Sequence, residues 1–402
     1  MIMQSIELFA GAGGLGLGTG IAGFTPKAIV EFDRNCRKTI ERNRSLGLSA
    51  AKDWPSHIGM DVRDEKYTNL SGAIDLVSGG PPCQPFSMGG RHAAYADSRD
   101  MFPEAVRAVR ETQPRAFLFE NVKGLTRQSF TSYFDYIRLQ LSHPTLTARP
   151  SEDWSDHLRR LQRHHTKHSD DAEDYRVVTQ VLNAADYGVP QHRHRVFFVG
   201  IRADLKLEYS FPKPTHSREA LLDTILSEEY CARHSLSATQ LSLQDREFAW
   251  LESARLKGKF GRDSETNMLP WRTTRDAIHD LPEPEYEFAS LQGHIRRDGA
   301  RAYKGHTGSH LDLPAKALKA GVHGVPGGEN MLRRADGSVR YFTARESARL
   351  QTFPDEYEIT GSWSEAMRQL GNAVPVELAF VVANKIREAL ESDGDYRARG
   401  ST

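Results

Sequence analysis

A cysteine between prolines is the residue of this sequence best suited to nucleophilic chemistry. Cys83 lies in the segment GGPPCQP at residues 79–85, directly after an apolar run. Prolines fix the backbone and so lower the cost of holding a reacting group in place. A lone cysteine is usually a small buried hydrophobe, but the polar Gln84 and Ser87 beside this one argue against an apolar core. The segment therefore predicts a nucleophilic thiol at Cys83.

Further polar groups are predicted to face the same cleft as this thiol. Glu120 follows the apolar run Ala116–Phe119, and desolvation of its carboxyl would raise the pKa and allow it to donate a proton. Strand alternation places Gln191, Arg193 and Arg195 on one face. Two guanidinium groups there would bind a substrate oxygen and keep the surroundings of a thiolate positive. The alternatives are a structural ion pair for Glu120 and a solvent-facing basic edge for the arginines.

A glycine-rich segment predicts a cofactor site. Residues 9–18 read FAGAGGLGLG after an apolar run, and such a strand-to-helix turn lets the backbone approach a ligand. Glu31 comes 13 residues after Gly18, at the end of the next predicted strand, where it could accept hydrogen bonds from ribose hydroxyls. The spacing departs from the dinucleotide pattern GxGxxG, which argues against NAD. A structural turn without a ligand is the alternative.

These residues require strands that end beside one another. Apolar runs alternating with helical patterns predict an α/β fold with a doubly wound, mostly parallel sheet, in which ligands bind at the carboxyl ends of the strands. A capping box at Thr343 and Glu346 predicts a helix over 343–349, and a second helix is predicted over Val376–Leu390. The predicted strands are Ser5–Phe9, Ala28–Phe32, Ile74–Ser78, Ala116–Phe119 and Arg195–Ile201.

Two stretches interrupt the α/β pattern. Residues 205–342 are rich in Pro, Gly and isolated charges, so we predict a second, smaller domain there and a large domain from residues 1–204 plus 343–402. Residues 143–173 are polar and rich in histidine, and we interpret them as an inserted surface segment. A solvated loop or helix face is favoured over a metal site formed by the histidines at 157, 164, 165 and 168.

Composition limits the class of protein. The 53 Lys and Arg balance 53 Asp and Glu, which argues against a broadly basic nucleic-acid binder. Residues 291–340 nevertheless carry nine basic against four acidic residues. The absence of an apolar run of about 18 residues argues against a membrane span. The start of the sequence lacks a secretion signal, and three scattered cysteines do not form a disulfide or zinc framework. We expect a cytoplasmic protein.

The motifs, taken in order, resemble those of the cytosine-5 DNA methyltransferases. The resemblance runs through the four segments above and resumes with RESARLQTFP at residues 345–354 and GNAVP at residues 371–375. It implies a Rossmann-like fold and a DNA (cytosine-5-)-methyltransferase that acts on double-stranded DNA. The cofactor would be S-adenosyl-L-methionine, with S-adenosyl-L-homocysteine as product. Residues 205–342 occupy the position of the family's target-recognition domain.

The resemblance also implies catalytic roles. Cys83 would attack carbon 6 of a cytosine that has been flipped out of the duplex. Glu120 would contact N3 and the exocyclic amine, while Arg195, supported by Arg193, would contact O2. The resemblance implies no metal. Ala317 stands where the family usually has a threonine that contacts a DNA phosphate.

Two larger sets of residues follow from the resemblance and from the positive stretch. The cofactor pocket would be lined by Phe9, Ala10, Gly11, Gly13, Gly14, Glu31, Phe32, Asp61, Val62, Pro82, Phe102 and Asn372. The residues expected to contact DNA are Ser87, Arg91, Gln191, Arg296, Arg297, Lys316 and Lys319.

Alternative functions remain at this point. One branch of the family methylates tRNA, although the 205–342 region is long for that branch. A non-catalytic DNA-binding relative would not need Cys83, Glu120 and Arg195, and a flavin or NAD oxidoreductase would not explain the Pro-Cys-Gln motif. We expect a monomer in the bacterial nucleoid. A cognate restriction endonuclease would be its functional, not physical, partner.

Overall fold

The structure is a computed structural model, and it describes residues 2–48, 50–56, 58–82, 100–167, 174–256, 267–285, 291–320 and 330–393. Its centre is a six-stranded sheet with the order β2-β1-β3-β4-β7-β5. Strands β1 to β4 are parallel, whereas β7 runs antiparallel to both β4 and β5. The strands are β1 (Met3–Leu8), β2 (Phe24–Val30), β3 (Leu76–Gly79), β4 (Ala116–Val122), β5 (Tyr175–Asn183) and β7 (His194–Arg202).

Helices cover both faces of this sheet, because successive side chains of a strand point to opposite sides. On one face Phe117 and Phe119 join the core beneath α3 and α4, and on the other Leu76 and Leu118 pack with α1 and α12. The α/β class predicted from the sequence is confirmed. The helices are α1 (Gly14–Ile21), α2 (Arg34–Ser45), α3 (Phe102–Thr112), α4 (Thr131–Ser142), α5 (Trp154–Lys167) and α12 (Val376–Glu391).

The reversed strand β7 changes where its polar residues lie. The sequence predicted polar groups at the carboxyl end of each strand, but those of β7 precede it. Because β7 is antiparallel to β4, its beginning lies at the carboxyl end of β4, and Arg195 pairs in register with Val122. The reversal therefore brings Arg195 to the same sheet edge as Glu120.

Residues 205–342 contain short elements with a core of their own. A buried cluster includes Leu222, Tyr230 and Leu251, while a second cluster joins Ala277 and Leu332 of this region to the helices that follow it. The helices are α6 (Arg218–Leu226), α7 (Glu229–Arg233), α8 (Asp245–Leu256) and α9 (Thr274–Ile278), and the strands are β8 (His216–Ser217), β9 (Leu269–Pro270), β10 (Ser309–His310), β11 (Ala315–Lys316), β12 (Met331–Arg333) and β13 (Val339–Tyr341).

The last part of the chain returns to the large sheet. Helix α10 (Ala344–Leu350) begins with the predicted capping box of Thr343 and Glu346, and α11 (Trp363–Asn372) follows it. The predicted final helix is present as α12. Strand β11 pairs in parallel with β6 (Gln191–His192), so the large sheet region and the 205–342 region are joined by backbone hydrogen bonds.

The histidine-rich segment is not simply a solvated surface. Helix α5 buries Leu158, Leu161 and His157, and the His157 ring contacts the Tyr136 hydroxyl and the Leu146 carbonyl. His143 is also buried. The interpretation as an exposed insert was therefore wrong for this part of the segment, because its apolar residues at helical spacing attach it to the core.

Across the described ranges, no helix has both the length and the apolar composition that crossing a bilayer requires.

Candidate active site

A buried ion pair forms the polar centre of the candidate site. Oε1 of Glu120, in β4, lies 2.5 Å from Nε of Arg195, at the start of β7. Glu120 is only 7% exposed. Burial raises the pKa of the Glu120 carboxyl, and the positive charges of Arg195 and Arg193 oppose that rise. The site thus holds a carboxyl group and a guanidinium group side by side, at the sheet edge predicted from the sequence.

The backbone before Cys83 is held against this pair. The side-chain amide of Asn121 donates to the Pro81 carbonyl over 2.9 Å. Gly80 packs so closely that an added Cβ would lie 3.2 Å from Oε2 of Glu120. Residues 80–82 therefore lead the chain directly past the carboxyl group. Cys83 itself, with Ser87 and Arg91, lies outside the described residues.

Arg193 is held by backbone carbonyl groups of two distant segments. It is completely buried, and its two terminal nitrogens donate to the carbonyls of Leu318 and Gly371 over 2.8 and 2.6 Å. It thereby joins the segment after β11 to the end of α11. Since its charge also acts on Glu120, the sequence placed it correctly beside the site.

Gln191 has partners within the chain. Its side chain is fully buried. The side-chain oxygen accepts from the Leu318 amide over 3.0 Å, and the side-chain nitrogen donates to the Leu350 carbonyl over 3.2 Å. Strand alternation predicted the shared face of Gln191 and Arg193 but not the burial of that face, and the DNA contact of Gln191 stays a prediction.

The glycine-rich segment forms the turn between β1 and α1. The Gly11 amide donates to one carboxylate oxygen of Glu31 over 2.6 Å, and the Asp33 amide donates to the other over 2.6 Å. Burial raises the pKa of Glu31, while these two backbone hydrogen bonds lower it. Phe9 adopts a positive φ of 53°, which is uncommon for a residue with a side chain and is typical of functional turns.

The turn also meets the last part of the chain. A Cβ on Gly14 would lie 2.3 Å from the carbonyl oxygen of Val374, so only glycine allows this approach. On its other flank, Arg368 of α11 forms a 2.9 Å ion pair with Asp33, the N-cap residue of α2. The sequence analysis did not select Arg368 or Asp33. Asp33 carried a local signal as an N-cap, but Arg368 did not.

One cavity of about 630 Å³ connects the turn with the ion pair. Its wall includes Glu120, Arg193, Arg195 and Ala317. Phe32 contributes a ring that is 73% exposed. The predicted cofactor residues that line the cavity are Phe9, Ala10, Gly11, Gly14, Glu31, Phe32, Pro82 and Asn372.

Four predicted cofactor residues are not among those that line the cavity. Gly13 packs against Trp54 and Tyr357. Val62 and Phe102 belong to the buried core beneath the sheet, and Asp61 pairs with Arg63 at 2.6 Å. The structure therefore places these four beside the site rather than on its surface.

The four residues after residue 290 that are predicted to contact DNA differ in their partners and in their exposure to solvent. The Lys316 amine donates to the Thr307 hydroxyl over 2.9 Å. Lys319 lines the cavity beside Ala317, and its backbone is held by the Asn330 side chain. Arg296 lies 3.4 Å from Asp298. Arg297 is exposed.

The chain matches the family described as C-5 cytosine-specific DNA methylase over residues 3–143 and 156–388. It belongs to that family. The chain is 30% identical over 391 residues to the type II methyltransferase M.PspPI of Psychrobacter, covering 96% of this chain and 79% of that one. It is 28% identical to the type II methyltransferase M.NgoMIV of Neisseria gonorrhoeae, covering 98% and 100% of the two chains.

The fold of this methylase agrees with solved structures. The Dnmt2 methyltransferase of S. pombe superposes with a TM-score of 0.52 at 18% identity, covering 97% of this chain and 99% of that one. At this level of identity the likeness concerns the fold alone. The chain is thus a DNA cytosine-5-methyltransferase by family, with the mixed, mainly parallel sheet of the methyltransferase fold.

Proposed function

We propose that the enzyme methylates carbon 5 of a flipped-out cytosine at specific sites in duplex DNA and so protects host DNA in a restriction-modification system. The observation that carries the proposal is the buried Glu120–Arg195 pair on the wall of the cavity that also contains Glu31. The Arg195 guanidinium offers hydrogen-bond donors and the Glu120 carboxyl offers an acceptor to the polar edge of a nucleobase. Both groups lie beside a cavity large enough for a nucleoside. The type II relatives support the protective role.

In the proposed reaction Cys83 acts as thiolate and forms a bond to carbon 6 of the cytosine, which raises the electron density at carbon 5. Glu120 donates a proton or a hydrogen bond at N3, and Arg195 donates to O2. After methylation, water accepts the carbon 5 proton, the double bond between carbons 5 and 6 is restored, and Cys83 leaves carbon 6 as thiolate. The two side chains thus stabilise charge on the ring while the covalent adduct exists.

The cavity fits S-adenosylmethionine. The described residues offer a carboxylate at Glu31 for ribose hydroxyls, an exposed ring at Phe32 for the adenine, and the turn at Gly11. A volume of about 630 Å³ lies within the usual range for small-molecule sites. When bound, S-adenosylmethionine supplies an electrophilic methyl group and leaves as S-adenosylhomocysteine.

We assign DNA recognition to residues 205–342, as a target-recognition domain opposite a catalytic domain of residues 1–204 and 343–402. The separate cluster around Leu222 and Tyr230 supports this division. Lys319, Arg296 and Arg297 are proposed to contact DNA, together with Lys316, Ser87 and Arg91. We infer that the enzyme acts as a monomer in the compartment that holds the host DNA, with a cognate endonuclease as its functional partner.

The decisive experiment incubates the purified chain with tritiated S-adenosylmethionine and either duplex DNA or tRNA. We expect label in DNA only, as 5-methylcytosine after nuclease digestion. Bisulfite sequencing of a plasmid from an expressing host should show methylation at one recurring site. Label in tRNA and none in DNA would contradict the proposed substrate.

The Cys83→Ser variant tests the covalent step. We expect it to bind DNA and to lose turnover, and a near-normal rate would contradict the adduct. The matched control is Cys231→Ser, at a buried cysteine in the separate cluster of the 205–342 region. That variant should keep turnover if a thiol is needed only at residue 83.

A further inference from the structure

A compact group of metal-binding side chains lies in the histidine-rich segment. One ligand atom from each of His143, His164 and Asp174 can be chosen so that all three lie within 4.8 Å of one another. They come from separate parts of the chain: His143 follows α4, His164 lies in the last turn of α5, and Asp174 precedes β5. Neither the sequence analysis nor the proposed reaction assigns this group a role.

The contact between His143 and Asp174 is incomplete as a hydrogen bond. Each residue is only 6% exposed. Nδ1 of His143 lies 2.9 Å from a carboxylate oxygen of Asp174, yet this buried nitrogen has no partner in hydrogen-bond geometry among the described residues. A buried nitrogen and a buried carboxylate thus approach each other without the bond that usually compensates such burial.

The opposite side of the His143 ring also has a polar contact. Nε2 of His143 lies 2.9 Å from Nδ1 of His165, in hydrogen-bond geometry. If Nε2 carries the proton and donates it to His165, the lone pair of Nδ1 faces the Asp174 carboxylate. In that arrangement both facing atoms are electron-rich, and a bound cation would stabilise them. Histidine ligands of metals usually donate the proton of the other ring nitrogen to a hydrogen-bond acceptor.

We propose that His143, His164 and Asp174 bind a divalent transition-metal ion of the zinc class. Two imidazole nitrogens and one carboxylate oxygen are ligands that Zn²⁺ prefers over Mg²⁺ or Ca²⁺. Bond lengths of about 2.0–2.2 Å place tetrahedral ligand atoms roughly 3.3 Å apart. The His143–Asp174 pair at 2.9 Å would therefore open slightly, and the ligand atom of His164 would move inward from a separation of up to 4.8 Å. His164 is half-buried, which leaves an entry path and a fourth position for water.

The ion would have a structural role that is independent of methyl transfer. It would tie the end of α5 to the residue directly before β5, and β5 pairs with β7 along nine residues. An ion that binds the folded chain alone stabilises it by mass action. We therefore expect it to raise the thermal stability of the edge of the central sheet, with no requirement for DNA or cofactor.

The test uses the full chain after treatment with a chelator. Co²⁺ should give the visible absorption of a four-coordinate nitrogen and oxygen site, without the charge-transfer bands of cysteine ligation. Zn²⁺ at a hundredfold excess over its dissociation constant should raise the melting temperature by about 3 °C. His164→Ala and Asp174→Asn should each weaken Co²⁺ binding at least tenfold and abolish the shift.

Gln162→Ala, at an exposed position of the same helix, is the matched control and should bind as the unaltered chain does. If the unaltered chain shows neither the Co²⁺ spectrum nor a Zn²⁺ shift at millimolar metal, the three residues do not bind a metal ion and the proposal is wrong. It is also wrong if the His164→Ala variant, whose altered residue is half-buried, folds and binds metal unchanged.

Discussion

At the scale of single residues, Arg195 opposes the effect of burial on Glu120. Burial raises the pKa of the Glu120 carboxyl, and the adjacent guanidinium lowers it. In the proposed reaction Glu120 would contact N3 and Arg195 would contact O2 of the cytosine, so each partner of the ion pair would gain a contact with the ring. A carboxyl whose pKa is raised by burial suits donation of a proton to N3.

Glu120→Gln should reduce methyl transfer by about 100-fold or more, because an amide can donate a hydrogen bond but cannot release a proton. A single-turnover assay with labelled methyl donor and duplex DNA measures the effect. Affinity for S-adenosylhomocysteine should stay the same. Glu41→Gln, at an exposed carboxylate of α2, is the control, and a Glu120→Gln rate within threefold of it would remove Glu120 from the mechanism.

Ala317→Thr should tighten DNA binding by about fivefold, which corresponds to one hydrogen bond of roughly 1 kcal/mol to a phosphate. Ala317 lines the cavity next to Leu318, whose backbone is fixed by Gln191 and Arg193. An added hydroxyl would therefore be held in place. Fluorescence titration of the Ala317→Thr variant and of the unaltered chain with the same duplex measures the two affinities. An equal or weaker affinity of the variant would contradict the prediction.

Glu7 should make the protein less stable as the pH rises. Burial raises the pKa of its carboxyl from 4.5 to about 8, although a hydrogen bond from Ser78 acts to lower that pKa. The folded chain thus binds this proton more tightly than the unfolded chain does. The resulting contribution to the free energy of unfolding is complete below pH 4.5 and decreases as the pH rises to about 8.

Glu7→Gln should remove this part of the pH dependence and raise stability above pH 7. Urea unfolding between pH 5 and about pH 8.5 provides the measurement. Glu41→Gln should retain the original slope. A slope that is unchanged in Glu7→Gln would mean that the carboxyl is already ionised in the folded chain.

At the scale of elements, the contact between α1 and α12 depends on glycine. A Cβ on Gly18 would lie 2.4 Å from Cβ of Ala379 and 2.7 Å from the Val376 carbonyl oxygen. A Cβ on Gly16 of the same helix would meet its nearest atoms at 3.7 Å, an ordinary contact. The close approach of α12 therefore requires glycine at residue 18 but not at residue 16 of the same helix.

Gly18→Ala should lower the free energy of unfolding by about 2 kcal/mol, because the helices must separate. Gly16→Ala should raise it by up to about 1 kcal/mol, since alanine favours a helix and fits the space. Chemical denaturation of both variants tests the contrast. Equal effects would show that helix propensity, rather than the approach of α12, governs α1.

Local signals in the sequence predicted elements well, and contacts between distant elements poorly. The capping box of Thr343 and Glu346 needs only four consecutive residues, and it formed as predicted. The reversal of β7 depends on its pairing with β4 and β5, which no local pattern contains. Gln191 is buried because backbone groups of Leu318 and Leu350, far along the chain, provide its partners.

At the scale of the whole molecule, the zero net charge conceals an uneven distribution. The positive stretch of residues 291–340 contrasts with residues 343–402, which contain seven basic and ten acidic residues. A local positive region is sufficient to attract the DNA backbone, and its contribution is screened by salt. The affinity for DNA should therefore fall with salt concentration as it does for a protein that makes only a few phosphate contacts.

The double variant Arg296→Gln, Arg297→Gln should weaken binding equally for specific and non-specific duplexes. The slope of log affinity against log salt concentration should fall by about 2, one for each lost phosphate contact. Lys385→Gln, an exposed residue of α12 in the acidic segment, should leave the slope unchanged. A loss confined to the specific duplex would instead assign these arginines to base contacts.

The approach of Gly14 to Val374 has a consequence for the synthesis of the enzyme. The wall of the proposed cofactor cavity combines residues 9–33 with residues 371–374, so residues 34–370 are translated between its first and last parts. A nascent chain has the turn and Glu31 early but lacks the opposite wall until α11 has left the ribosome. Translation products that stop before residue 371 therefore lack part of the proposed methyl-donor site, and we expect activity only once residues 371–374 have been made.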